Sequence, residues 1–311
     1  MRTLICGSLA YDTIMVFEGR FKDQILPDQV HILNVSFLVP AMRREFGGTA
    51  GNIAYSLHLL GGTPVVMATV GGDAEPYLQR LRGFDFDTRH VKTIADAFTA
   101  QAFITTDLDD NQITAFHPGA MSGSAVNHVG DAADVALAIV APDSRDGMIQ
   151  HARELADAGV PFIFDPGQGL PMFSGPDLKE FIDLADYVTV NDYEAKMLAE
   201  RTQQTFDEVA ASLKGLVVTQ GGLGSTIYAD GRTHVIPSVR PERVADPTGC
   251  GDAYRGGLLY GLSNGMDWET TGRLASTMGA LKIAHQGPQN HAPSRERVGE
   301  VFHDVFGYNL W

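Results

Sequence analysis

Cysteine is nearly missing from this chain: Cys6 and Cys250 are its only two, far apart in sequence. A disulfide framework and a CxxC zinc site are therefore excluded, and a reducing compartment is the natural setting. Long apolar runs are missing as well. The best candidates, such as residues 135–141, are strand-sized, well short of the roughly 18 apolar residues a membrane span requires. The start does not read as a secretory leader, because the apolar stretch 4–10 contains Cys6, Gly7 and Ser8, runs into Tyr11 and Asp12, and has little basic flank beyond Arg2. A cytoplasmic location is expected. Basic charge is scarce too: 23 lysines and arginines face 38 acidic residues, a net charge of −15, which argues against nucleic-acid binding through phosphate contacts. No membrane partner is expected either. An anionic ligand must be met locally, by backbone amides or a metal.

What the chain does have is 311 residues, 44% of them apolar, and 34 glycines. A globular chain of this length buries about three quarters of the surface its unfolded form exposes. Short apolar runs at 3–7, 64–70, 135–140, 161–165, 187–190 and 216–219 read as buried strands. Helical spacing lies between most of them, as in Ile53, Leu57 and Leu60, or Met148, Ala152, Leu155 and Ala156 before the stop at Gly159. Alternating strands and helices predict an α/β fold with a mostly parallel central sheet flanked by helices. Ligands then belong at the carboxyl ends of the strands.

Two segments break the alternation. Residues 31–39 place Leu33, Val35, Phe37 and Val39 on one face of a period-two strand, and 99–106 with 112–117 read as a hairpin around the polar turn 107–111. Together they predict a small antiparallel sheet, serving either as a lid or as an ordinary edge hairpin. No repeat or long linker interrupts the chain, so one domain over 1–311 is expected, with lid segments at about 13–45 and 96–118.

The densest cluster of chemistry is Asp246-Pro-Thr-Gly-Cys-Gly-Asp252, a glycine turn opening a helix. Amides of Gly249, Cys250 and Gly251 at a helix N-terminus suit an anionic oxygen. Asp252 in the first turn reads either as a helix-stabilising carboxylate or as a base accepting a hydroxyl proton. Gly47 and Gly48 allow close approach of backbone to ligand, while Asn52 offers a donor and an acceptor to a sugar diol or caps the following helix. Asp12 can clamp two hydroxyls. Asn191 with Glu194 reads as a capping box in all but its first residue type. The loop Thr219-Gln-Gly221-Gly222-Leu-Gly224 leads into another strand, so it is not a dinucleotide fingerprint, and no Walker A sequence occurs. Absence of that fingerprint after the first strand also disfavours a nicotinamide-dependent oxidoreductase. His58, on an otherwise apolar helix, reads as structural.

The Asp246 to Asp252 segment resembles the C-terminal signature of the ribokinase-like (PfkB) family of carbohydrate and nucleoside kinases, D-T-x-G-A-G-D, with Pro247 and Cys250 at variable positions. Gly47-Gly48-Thr-Ala-Gly51-Asn52 is similar to its N-terminal signature. The resemblance implies a ribokinase-like fold with a small β-sheet lid, Asp252 as catalytic base and an anion hole at Gly249, Cys250 and Gly251. It implies that Asp12, Gly48 and Asn52 hold the sugar, and that Asn191, Thr219, Gly221, Gly222 and Gly224 lie along the phosphates of ATP. Glu194 is implied to organise magnesium through water, and Asp246 with Thr248 to form the monovalent-cation site of members that have one, so potassium dependence is an expectation. Adenine is expected near the helix 279–285 and the loop 286–290.

Ser36-Phe37-Leu38-Val39 and Phe116-His-Pro-Gly-Ala-Met121, with the motifs above, resemble a bacterial adenosine kinase branch. Phe37, Phe103 and Phe116 offer rings on which a nucleobase can stack, at about 1–3 kcal/mol each. The alternative is that they form the apolar side of the lid or a dimer contact, a reading as good as stacking for Phe103, and in the resembling branch such an aromatic reaches across a homodimer interface. Ser8, Ser36, Gln168 and Met121 are further candidates for base contacts. The expected activity is ATP-dependent phosphorylation of the ribose 5′-hydroxyl of a purine nucleoside such as adenosine or inosine. The alternatives are a kinase of free ribose or fructose, and a non-catalytic nucleoside-binding regulator.

Overall fold

The computed structural model describes residues 1–25, 34–109 and 111–311. Its strands are β1 (Arg2–Cys6), β2 (Ala10–Val16), β3 (Ala41–Gly47), β4 (Thr63–Gly71), β5 (Val91–Ile94), β6 (Ala100–Thr106), β7 (Gln112–His117), β8 (Val135–Val140), β9 (Phe162–Phe164), β10 (Tyr187–Asn191), β11 (Gly215–Thr219), β12 (Ser225–Ala229) and β13 (Arg232–Ile236). The helices are α1 (Phe21–Gln24), α2 (Thr49–Leu59), α3 (Glu75–Gly83), α4 (Arg145–Asp157), α5 (Gly175–Leu184), α6 (Asp192–Thr202), α7 (Phe206–Ser212), α8 (Cys250–Ser263), α9 (Trp268–Ile283) and α10 (Arg295–Phe306).

The larger sheet has nine strands in the order β13-β12-β11-β10-β9-β8-β1-β4-β5. Every pairing from β11 to β5 is parallel, and only β12 is reversed, pairing antiparallel with β11 and with β13. Both faces are covered by helices, which is why the strands read as nearly unbroken apolar runs. Leu4 and Cys6 of β1 face α4 to α7 together with Val65, Ala138 and Phe164, whereas Ile5 between them faces α2, α3 and α8 to α10 with Val66 and Ile139. Six expected strands are found within two residues of their predicted ends.

The second sheet has four strands, β3-β2-β6-β7, with Asp12 opposite Glu45 and Ala102, and Ala102 opposite Phe116. Its membership corrects the strand expected at 31–39. Residues 31–33 lie outside the described part, 34–39 form no strand, and the ladder partner of β2 is instead Ala41–Gly47. Phe37 packs on Phe17 and Phe21, with ring centres 4.9 and 5.0 Å apart, so its alternation with neighbours reports an aromatic cluster. Asp12 sits within β2 of the small sheet, because a turn at 7–9 sends the chain straight from one sheet into the other. No helix among the described residues is long and apolar enough to cross a membrane.

Candidate active site

Parallel strands β1, β8, β9, β10 and β11 end on one rim, and their following residues converge there. Two cavities open on that rim. The first, of about 460 Å³, is lined by Ser8, Asp12, Gly48, Asn52, Phe116, Met121, Asp143, Gln168, Met172, Gly249 and Asp252, among others. The second, of about 210 Å³, is lined by Asp165, Asn191, Glu194, Thr219, Gly251 and Arg255. Thr49, Pro142, Gln168 and Asp252 border both. A single carboxylate thus faces two chambers, one beside the small sheet and one beside the ends of β10 and β11.

Asp252 is the third residue of α8, whose N-cap Gly249 has φ 79°. A Cβ at that residue would come within 2.7 Å of the Pro288 Cβ, so glycine is required by both conformation and space. Among the described residues the N–H groups of Gly249 and Gly251 have no partner, while that of Cys250 donates back to Pro247 O at 3.1 Å. Of the three amides expected as orphan donors, that of Cys250 is thus engaged by the 247–250 turn. Burial pushes the Cys250 thiol up to about 11 and leaves it uncharged at neutral pH.

Asn52 is not a helix cap. Gly48 occupies that position with φ 86°, where a Cβ would come within 2.6 Å of Ser8 O, and Asn52 lies one turn further on. Its amide donates to Asp252 Oδ2 at 2.8 Å. Its own oxygen accepts from Gln289 Nε2 at 3.0 Å, and Gln289 is held by Arg80 through 2.7 and 3.2 Å hydrogen bonds. Burial pushes the Asp252 carboxyl up to about 6, opposed by the Asn52 hydrogen bond and the Arg255 charge. Asp12, buried and near Asp246 and Glu45, is likewise pushed up to about 6.

The capping box is complete: Asn191 Oδ1 accepts from Glu194 N at 2.7 Å and Glu194 Oε2 accepts from Asn191 N at 2.8 Å. Burial raises the Glu194 carboxyl all the same. Thr219 borders the second cavity. Gly221 and Gly222 form an exposed turn closed by Gly224, and none of the three lines either cavity. Among the described residues no group of three or more carboxylate, His or Cys side chains could cage a metal. Glu194 on a cavity wall suits magnesium that keeps most of its waters and is shared with phosphates.

Ser36 and Phe103 are not brought to the cavity. Phe103 follows Ala102 in β6 and so projects from the opposite face of the small sheet, in a row with Thr13, Arg44 and Ala115. His58 packs edge-on against Phe86, with ring centres 5.2 Å apart, as a structural residue would.

Sequence reasoning missed the buried pair Arg255–Asp165, whose Nε–Oδ2 and Nη2–Oδ1 distances are both 2.9 Å. Its signal was legible: an arginine in an otherwise apolar helix, one turn after Asp252, and an aspartate ending an apolar strand. Asp143 was missed as well. Burial pushes its carboxyl up to about 7, and its Oδ2 has no partner among the described residues.

Residues 12–295 match the model of the pfkB family of carbohydrate kinases. The chain belongs to that family. A nucleoside kinase of Methanothermobacter thermautotrophicus is 31% identical to this PfkB member, over 96% of this chain and 97% of that one. The structure of Burkholderia thailandensis nucleoside kinase in complex with inosine superposes with a TM-score of 0.90 at 59% identity, covering 99% of both chains. Its complex with ADP and inosine gives 0.88 at 61% identity, covering 99% and 97%. Ribokinase from Thermotoga maritima, at 19% identity and a TM-score of 0.80 over 97% and 99%, shares the fold of this PfkB chain. The ribokinase-like architecture is thus established.

Proposed function

We propose that this protein is a nucleoside kinase that transfers the γ-phosphoryl group of ATP to the ribose 5′-hydroxyl of a purine nucleoside, with inosine and adenosine as first substrates. The observation that carries the reading is Asp252, a buried carboxylate bordering both cavities beside the free amides of Gly249 and Gly251. The nucleoside kinases among the relatives support the substrate class. So does the first cavity, which runs from Asp12 and Asn52 to the apolar Phe116, Met121 and Met172, a shape suited to a sugar joined to a base.

In this reading Asp12, Gly48 and Asn52 hold the ribose, and Ser8, Phe116, Met121 and Gln168 surround the base. ATP lies along Asn191, Thr219 and the 221–224 turn, its adenine in the cavity of about 370 Å³ beside Ala280, Ala284 and Asn290. Asp252 accepts the proton of the 5′-hydroxyl as its oxygen bonds to the γ-phosphorus and the bond to the bridging oxygen of ADP breaks. Amides of Gly249 and Gly251 stabilise charge on the transferring group. Glu194 would hold hydrated magnesium, whose chemistry is to neutralise the phosphates. Arg255, locked by Asp165, keeps positive charge beside Asp252 and favours its ionised form.

We further propose that the small sheet is the lid of one domain spanning 1–311. Its outer face, with Met42, Phe103 and Ile113 exposed, then forms a homodimer contact. The enzyme would serve purine salvage in the cytoplasm. The test is Asp252→Asn assayed with MgATP and inosine. The reading expects turnover to fall at least about a thousandfold while inosine binding stays within about threefold; lost binding with turnover per bound complex preserved would refute the assigned role.

A further inference from the structure

Lys282, in the last turn of α9, is a fully buried ammonium for which the scheme above has no use. Its Nζ donates to Asp246 O at 2.7 Å and to His285 O at 3.2 Å. A lysine is rarely buried completely unless its charge is well met, so the two carbonyls fix its place.

The same turn is where the family resemblance leads one to expect a monovalent cation. Asp246 Oδ1 accepts the Thr248 N–H at 2.9 Å. Asp246 Oδ2 accepts the Gly287 N–H at 2.9 Å and lies 3.8 Å from Arg43 Nη2. The Ile283 carbonyl accepts from Ala245 N at 2.8 Å and Asp246 N at 3.2 Å. Each of these oxygens already faces a hydrogen-bond donor, and the Asp246 carbonyl faces an ammonium. Of the residues expected to hold the ion, Asp246 has every oxygen engaged and its carbonyl taken by the ammonium, so the site as built does not fit a bound monovalent ion.

We propose that the Lys282 ammonium is a built-in cation that takes the place of a bound monovalent ion. It holds the 246–249 turn against the end of α9, so that the Gly249 and Gly251 amides stay in place without potassium. A tethered charge is present at fixed stoichiometry, so the positioning does not depend on ion concentration. Removing it strands the buried Asp246 carbonyl and the partly buried His285 carbonyl, at a cost to the pose of the turn. Lys282 acts through the turn and is a positioning residue.

The activity arm of the test rests on the nucleoside kinase reading; the binding arm does not. In buffers where choline replaces potassium, wild-type turnover of inosine with MgATP is expected to stay within about twofold, and potassium is expected to raise Tm no more than choline does. Folded Lys282→Met is expected to lose at least about tenfold in kcat with KM for inosine within about threefold, and Lys282→Arg to recover part of the loss. Potassium stimulation of wild type by about tenfold, a potassium-specific rise in Tm, or wild-type kcat in Lys282→Met overturns the proposal. If wild type turns over no nucleoside, the kinase reading fails, and the melting comparison still decides the cation question.

Discussion

At the scale of the residue, two buried carboxylates carry the proposed chemistry. Asp252 and Asp12 are both pushed up to about 6 by burial. A base must be ionised to accept a proton, so kcat/KM for nucleoside is expected to fall as pH drops through about 6 and to level off above it, the two aspartates titrating as a coupled pair. A profile flat down to pH about 5 contradicts the assignment. The same burial gives a linkage with definite sign. A carboxyl whose folded pKa is raised above its unfolded value of about 4 contributes stability below that value, and the contribution is lost as pH rises through about 6. At neutral pH the ionised Asp252 is thus a stability cost, and Asp252→Asn is expected to leave Tm equal to or above wild type; a melting point several degrees lower contradicts this. How far these residues were legible differs among them. The Asp246 to Asp252 cluster and Asn52 stood out because their pattern is local, whereas Gln289, Asp143 and Lys282 acquire meaning only from partners brought in by the fold. Phe103 shows the converse, its aromatic character visible but its face of the small sheet not, and Ser36 lies in 34–39, which form no strand.

At the scale of the element, α8 carries the argument. Its N-terminus presents the free amides and Asp252, and one turn on Arg255 ties it to Asp165 just beyond β9. A buried pair of this kind is weak evidence for stability in itself, yet breaking one side strands a charge at about 3–5 kcal/mol. Arg255→Met is expected to lower Tm sharply, and adding Asp165→Leu is expected to restore much of it while activity stays low. Differential scanning calorimetry of the two variants checks this, and single and double variants melting alike would contradict it. Elements were legible where their apolar pattern was dictated by burial on both faces, as in β1, β4 and β8 to β11. Strand β2 escaped because residues 10–14 are buried on both faces and include the polar Asp12 and Thr13, and β3 because it is exposed or half-buried up to Gly47, so no local period marks either. Among the described residues 34–39, Phe37 belongs to an aromatic cluster and not to a strand, and the ladder begins only at Ala41, after Pro40.

At the scale of the whole molecule, two sheets meet around the larger cavity, the larger sheet supplying the loops at its strand ends and the smaller supplying Asp12, Ala102 and Phe116 as an opposing wall. The outer face of the small sheet leaves Met42, Phe103 and Ile113 exposed. If that face joins two copies, sedimentation equilibrium will give a dimer for wild type and a monomer for Met42→Asp with Phe103→Asp; a monomeric wild type rules the contact out. The central claim concerns what the chamber holds. The most direct measurement is ADP release with MgATP across adenosine, inosine, guanosine, cytidine, ribose and fructose, with Asp252→Asn as the blank. The account predicts turnover on purine nucleosides, formation of their 5′-monophosphates, and little on either free sugar. Efficient turnover of ribose or fructose without turnover of nucleosides would contradict it.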